Sequence, residues 1–428
     1  MVNLKTINIK GLDQTLYYEK LDNGLEVYLV PYDNKKTWTM HYVTKFGSIE
    51  TSFIPYNSKE EITVPDGIAH FLEHKMFEQE DGIDPFTFAS KTGTYSNACT
   101  NYDRTEYYFE GNKAFAENLD YLLTFVGSPY FTDENVEKEK GIIAEEIKQY
   151  DDEVDWFIDE EMKKALLNKD NHRIDIAGTV ESINKITKED LYNTYYTFYQ
   201  PSNMFLVITG SFDKEEAISV IKNNKVLNNS KSNVDIKVKE IKEELKVNKK
   251  EVTKKFNTVN TKVGYGLKLP IGNNNRVMFN MYLALLFNIK FGVASLFREE
   301  IKKEKLMTSF SMGRELIDDY MIVYLKADTN KPKELVNRIK QELSNVEITD
   351  EEIERAKRVW ISSYVMASDD INALCDSIID DIIEYKEFFN DKIEMYRSIN
   401  KKDYMNIVSK LDFTNASILN VIPNNQNE

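Results

Sequence analysis

Histidine and cysteine are scarce in this chain, with four and two residues among 428. Cys99 and Cys375 form no spacing motif, which points to a reducing compartment rather than a disulfide scaffold. Glycine (16) and proline (9) are also few, which argues against long disordered linkers. The opening segment, MVNLKTINIKGLDQ, lacks the continuous apolar stretch of a secretory signal, and no apolar run approaches the length of a membrane span. The expectation is a soluble, cytoplasmic protein with no membrane contact. Positive charge is in deficit as well. With 55 Lys and Arg against 71 Asp and Glu, the net charge is −16, which repels phosphate backbones and argues against nucleic-acid partners.

What is present is enough for a packed core in more than one domain: hydrophobic residues make up 42% of the chain and aromatic residues 12%. The chain also echoes itself. FTDENVEKEKGIIAEEIKQYDDEVD, from Phe131, aligns with EITDEEIERAKRVWISSYVMASDDIN, from Glu347, when Thr132 is set on Thr349, an offset of 217. NKITKEDL (184–191) then resembles RSINKKDY (397–404), and PSNMFLVITG (201–210) resembles FTNASILNVI (413–422). Echoes in the same order at nearly one offset predict a duplicated domain of roughly 200 residues. The domains are expected at 1–228 and 251–428. The Lys- and Asn-rich stretch 229–250 reads as a solvated, partly helical connector.

Each half reads as α+β. GLEVYLVPYD and TWTMHYVTKFG alternate like strands, 66–78 reads as a helix, and TYSNACTNYDRTEYYFEG reads as a hairpin turning at NYDR. Helices dominate from Asn112 to Tyr196, and MFLVITGSF closes the half as a strand. The second half offers KVGYGLKLP and DDYMIVYLKAD as strands, with helices near 274–289, 292–305, 332–345 and 349–388.

Two of the four histidines stand in GIAHFLEHKMFE. On a helix His70 and His74 share a face at i and i+4, with Glu73 beside them. Two imidazoles and a nearby carboxylate suit Zn²⁺, and a carboxylate outside the ligand set can take a proton from a zinc-activated water. The order is the inverse of H-E-x-x-H. The plainer alternative is a helix face with two incidental histidines. The helix is apolar on most sides, however, and burying His-Glu-His without a partner is costly.

Catalytic zinc commonly takes three protein ligands, so a third carboxylate is expected. NVEKEKGIIAEEIKQY (135–150) offers Glu137, Glu139, Glu145 and Glu146. Glu139 and Glu146 fall on a stripe with Ile143 and Tyr150, whereas Glu145 shares its face with Lys138 and Gln149. Periodicity therefore favours Glu146 as the ligand, with Glu139 placed to order a histidine from outside the ligand set. At the same offset Glu146 falls on Ser363 and Glu139 on Ala356, and the second half has no histidine.

HFLEH, EKEKGIIAEE and SNACTNYDRTEYYFEG together resemble the pitrilysin/insulinase (M16) zinc peptidases, a family that includes insulysin and the mitochondrial processing peptidase. The likeness is greatest to its short bacterial two-domain members, the YmfH-like group. It is strong over 20–210 and weak over 255–428. The resemblance implies an α+β protein of two homologous α/β-sandwich domains, the first catalytic and the second metal-free. It implies one zinc per chain held by His70, His74 and Glu146, with Glu139 supporting the ligands and Glu73 as general base. Asn97 would help hold the scissile peptide or the water, and Ala98, Cys99 and Thr100 would lie on the edge strand that takes up an extended substrate.

One departure concerns substrate binding. The family's second half commonly carries S-R-L-Y-x-x-I-R-E-x-G-L-A-Y, whose final Arg and Tyr reach the substrate. Here the counterpart is SLFREEIKKEKLMTS, from Ser295, which puts Lys302 and Thr308 at those positions. Lysine keeps the charge but loses the fork, and threonine has no phenol. The expectation is a zinc endopeptidase acting on peptides or flexible segments, such as leader or precursor peptides. It would be the catalytic subunit of a heterodimer whose paralogous partner lacks H-x-x-E-H and supplies the Arg/Tyr pair, or otherwise a homodimer. The alternatives are a protease of general peptide turnover and an inactive scaffold or peptide-binding subunit.

Overall fold

The computed structural model describes residues 4–230 and 235–424. They form two compact units that do not follow chain order. The first comprises Met1–Ile147, Ile174–Glu240 and Tyr364–Lys392, and the second Lys148–Arg173, Ile241–Ser363 and Ile393–Glu428.

The first unit is built on a sheet of seven strands in the order Lys5–Asn8, Thr15–Lys20, Glu26–Pro31, Met204–Gly210, Trp38–Thr44, Thr105–Gly111, Tyr95–Thr100. The second unit has five, in the order Glu251–Phe256, Ala416–Pro423, Lys262–Pro270, Tyr320–Asp328, Ser309–Ile317. From Glu26–Pro31 onward, the first sheet repeats the second strand for strand. One parallel pair is followed by three antiparallel pairs in both. This shared order is the duplication seen as topology.

The inner strands of both sheets are buried on both faces. Val27, Leu29, Leu206 and Ile208 point into one core, while Tyr28, Val30, Phe205 and Val207 point into another. That is why these strands read as continuous apolar runs despite a side-chain period of two. The second face of the first sheet is covered by Ile371–Tyr385 through Leu374, Cys375, Ile378, Ile379 and Ile382. In the second unit the equivalent cover is Val154–Leu166, through Ile158, Met162 and Leu166. Val154 and Ile371 are themselves related by the offset of 217. The two halves have thus exchanged one helix each, so the units cross the boundary read at 229–250. Glycine makes room for the exchanged helix in the second unit: a Cβ at Gly264 would meet Met162 Cε at 2.5 Å.

Three expectations need correction, and one strand was missed. The connector, of which 231–234 lie outside the described residues, contributes a strand rather than a helix: Lys237–Val238 pairs with Phe53 and Ile54. The helix expected over 349–388 is two, Asp350–Ala367 and Ile371–Tyr385, and the Asp370 side chain caps the second by accepting from Asn372 and Ala373 N–H. The strand Ser309–Ile317 was not expected; its inward alternation is interrupted by Gly313 and Arg314. Finally, Arg276–Lys303 is apolar enough over an 18-residue window (mean hydropathy 1.5) to cross a membrane. It is nevertheless broken at Gly292 into two helices, Arg276–Phe291 and Leu296–Lys303, and Phe279, Tyr282, Leu283 and Leu286 of the first fill the second unit's core.

Candidate metal centre

The helix Ile68–Met76 carries the histidines. It starts from Gly67 at φ 89°, a left-handed conformation that L side chains rarely adopt, and a Cβ there would also drive into the Ala177 carbonyl. Phe71, Leu72 and Met76 are fully buried and anchor the helix in the first unit's core. The remaining side, with His70, Glu73 and His74, faces the long helix Asp133–Asp151.

Glu146 on that helix meets both histidines, with Oε1 3.8 Å from His70 Nε2 and Oε2 3.4 Å from His74 Nε2. These three residues can hold one ion, for a ligand atom from each lies within 4.8 Å of the other two. Donors ~2.0–2.1 Å from a tetrahedral zinc would stand about 3.3 Å apart, close to the separations found. Glu139, buried, bonds His74 Nδ1 at 3.1 Å, leaving Nε2 directed at Glu146. His70 Nδ1 is buried and has no protein partner.

The electrostatics suit a cation. Burial and the neighbouring His74 pull His70 down to about 3, so its ring stays neutral and available as a ligand. Burial also works against protonation of His74. The hydrogen bond to Glu139 and the carboxylates of Glu73, Glu139 and Glu146 outweigh it, so the His74 pKa is raised. Glu139 shows the reverse balance: burial pushes its carboxyl up, but the bonds to His74 and Lys75 bring it below the ordinary value.

Glu73 lies beside the pair, 9% exposed, and Thr100 Oγ1 donates to its Oε2 at 2.6 Å. Burial raises its pKa despite that bond and the nearby His74. An open cleft of about 590 Å³ begins at Glu73 and His74 and is lined further by Phe77, Phe86, Asn97 and Glu139. Asn97 and Thr100 come from Tyr95–Thr100, the outermost strand of the sheet, whose outer edge pairs with no other strand among the described residues and can take an extended chain.

The first unit therefore brings together His70, Glu73, His74, Asn97, Thr100, Glu139 and Glu146. Ala98 and Cys99 lie on the same edge strand, Ala98 half-buried and Cys99 exposed. Thr100 was expected only as part of the substrate strand, but its hydroxyl faces inward and holds Glu73. Tyr150, read as part of the inward stripe, is 38% exposed; the buried line is Val136, Glu139, Ile143 and Ile147, with Glu146 flanking it. Lys302 belongs to the second unit, exposed on Leu296–Lys303. Sequence reasoning missed Lys75, which is fully buried and ion-paired with Glu78 and Glu139. A lysine inside an otherwise apolar helix face was the available signal.

Residues 54–180 match the family described as Insulinase (Peptidase family M16), and residues 185–359 match the Peptidase M16 inactive domain. The chain is 39% identical over 371 residues to the zinc protease YmfH of Bacillus subtilis (strain 168), covering 85% of this chain and 86% of that protein. An M16-like peptidase from Alicyclobacillus acidocaldarius superposes with a TM-score of 0.89 at 30% identity over 99% of both chains. A protease from Helicobacter pylori shares the fold, with a TM-score of 0.80 at 18% identity over 95% of this chain and 99% of that one. With a duplicated sheet, an inverted His-x-x-Glu-His helix and relatives of this extent, the chain belongs to the M16 (insulinase) family of peptidases.

Proposed function

We propose that this chain is a zinc-dependent endopeptidase that cleaves peptides or flexible segments. The observation that carries the reading is the convergence of His70, His74 and Glu146 beside the buried carboxylate of Glu73, next to the outer edge of the sheet. His70, His74 and Glu146 would hold the zinc, and Glu139 would fix the tautomer of His74. Zinc so bound supplies Lewis acidity toward a water and a peptide carbonyl. Glu73 is the general base: its raised proton affinity suits it to take a proton from water and return it to the leaving amine. Thr100 holds the Glu73 carboxylate in place. The substrate adds to the edge strand Tyr95–Thr100 by backbone pairing, and Asn97 orients it over the cleft.

The experiment is Glu73→Gln. Peptide cleavage should fall about a hundred- to ten-thousand-fold with zinc retained. Cleavage at the wild-type rate would remove Glu73 from this role. A wild-type chain that binds zinc but cleaves no peptide, alone or with a partner, would instead favour a scaffold subunit.

In the same reading, the chain is the catalytic subunit of a heterodimer that matures leader or precursor peptides. Support comes from the second half, where Lys302 and Thr308 stand at the family's Arg and Tyr positions. Arg298, which a shifted alignment would bring to the Arg position, already donates to the Phe291 carbonyl at 2.8 Å and sits 4.8 Å over the Phe310 ring. Peptide cleavage should rise when a paralogue lacking H-x-x-E-H is mixed in. Equal rates with and without it would leave a homodimer or a lone protease of general peptide turnover.

A further inference from the structure

Lys75 is the one side chain of the motif helix whose chemistry the proposed mechanism does not use. It is fully buried, among residues such as Phe71, Leu72 and Met76 that are apolar. Burying an ammonium is costly unless it is paired. Lys75 is paired twice, with Glu78 Oε2 and, at 3.5 Å, with Glu139 Oε2. The other oxygen of the same Glu139 carboxylate bonds His74 Nδ1 at 3.1 Å. The three groups form a chain from ammonium to carboxylate to imidazole, and the far nitrogen of that imidazole faces Glu146. Each oxygen of Glu139 is committed, one to each neighbour, so its rotamer is fixed from both ends.

We infer that Lys75 is a positioning residue for the metal: it locks Glu139, and through Glu139 the ring of His74, in the orientation that ligation needs. The inference rests on the reading of His70, His74 and Glu146 as zinc ligands. An apolar residue of similar length at position 75 would fill the same space without the charge. Glu139 would then be a buried carboxylate held on one side only, free to turn away from His74.

The test is zinc affinity of the full chain, measured by competition with a chromophoric chelator, alongside thermal unfolding. Partners outside the ligand set commonly contribute ten- to a hundredfold to metal affinity. Glu139→Gln should fall in that range, and Lys75→Met should weaken zinc about tenfold. Because both act through one carboxylate, the double variant should bind no more weakly than Glu139→Gln alone. Lys75→Arg, which keeps the cation, should recover most of the loss; a role in packing alone would not predict that order. Unchanged or tighter zinc in Lys75→Met, or fully additive losses in the double variant, would overturn the inference. Should Lys75→Met fail to fold, Lys75→Gln serves the same cycle with the same expected order. Absence of zinc binding in the wild type would overturn the ligand reading as well, whereas a zinc-binding wild type with an indifferent Lys75→Met would overturn only the role of Lys75.

Discussion

The helices Asp133–Asp151 and Asp350–Ala367 are the same element written twice, and they start alike. In the first, Asn135 N–H donates to Thr132 Oγ1 at 3.1 Å, and Thr132 N–H donates back to Asn135 Oδ1 at 2.8 Å. In the second, Glu352 N–H donates to Thr349 Oγ1 at 3.2 Å, and Thr349 N–H donates to Glu352 Oε2 at 2.7 Å. Both are reciprocal caps, and both satisfy donors that a helix start leaves unpaired. Beyond the first turn they part. The first helix buries Glu139 and presents Glu146; the second has Ala356 and Ser363 there and, among its residues, buries only Ile353. The cap and the sheet order are demands of the fold and persist in both copies. The carboxylates occur only in the copy that has the histidines, as the proposed metal chemistry requires.

The sharpest way to break this comparison is to give the first helix the residue of the second. Glu146→Ser should weaken zinc by more than about a hundredfold, beyond the loss of an outer partner, and abolish cleavage. The reverse change, Ser363→Glu, should create no second zinc site, since the second half of the chain has no histidine to join it. A second bound zinc in that variant, counted by mass spectrometry under native conditions, would show that the second half can hold zinc without histidine.

A smaller effect is expected from pH. His70 is held neutral to about 3 when folded, against 6.5 for the free side chain. Between those values the unfolded chain binds a proton that folded His70 refuses. Its contribution is therefore present above about 6.5 and declines as pH falls, by at most about 1.4 kcal/mol per pH unit. His74, with its pKa raised, acts in the opposite sense: its contribution is full below 6.5 and is lost as pH rises through its folded value. In metal-free protein the melting temperature of His70→Gln should thus depend less steeply on pH between 7 and 5 than that of the wild type. An unaltered slope would show that His70 is not the group responsible.

The smallest effect sharpens the comparison at the caps. Thr132→Ala and Thr349→Ala should each cost about 1 kcal/mol, with similar losses in the two copies. A cap that mattered in only one copy, seen as unequal shifts in thermal unfolding, would mean that the two helix starts are not equivalent.

The cluster of His70, His74, Glu139 and Glu146 was legible because its spacing is short: the histidines lie one turn apart, and the glutamates two turns apart on a neighbouring helix. The duplication was legible from Thr132 and Thr349 because a cap is a local signal. The exchange of Val154–Leu166 for Ile371–Tyr385 was not, since nothing in an amphipathic helix says which sheet it will cover. Thr100 was read as a strand residue because the contact with Glu73 joins positions 27 apart in sequence. Lys75 was passed over because periodicity ranks residues by face and does not say whether a charge on the buried face has found a partner.

The helix exchange bears on how such a gene could be divided. The connector at 229–250 is the natural place to cut, and it would release a first half holding every proposed zinc ligand. That fragment would lack Leu374, Cys375, Ile378, Ile379 and Ile382, and with them the cover over Tyr28, Val30, Phe205 and Val207. It would keep Val154–Leu166, whose apolar face belongs to a sheet no longer attached. An isolated first half would carry two bare greasy surfaces and should be insoluble, so any lineage that splits this chain into separate polypeptides must either express both pieces together or first return each helix to its own half.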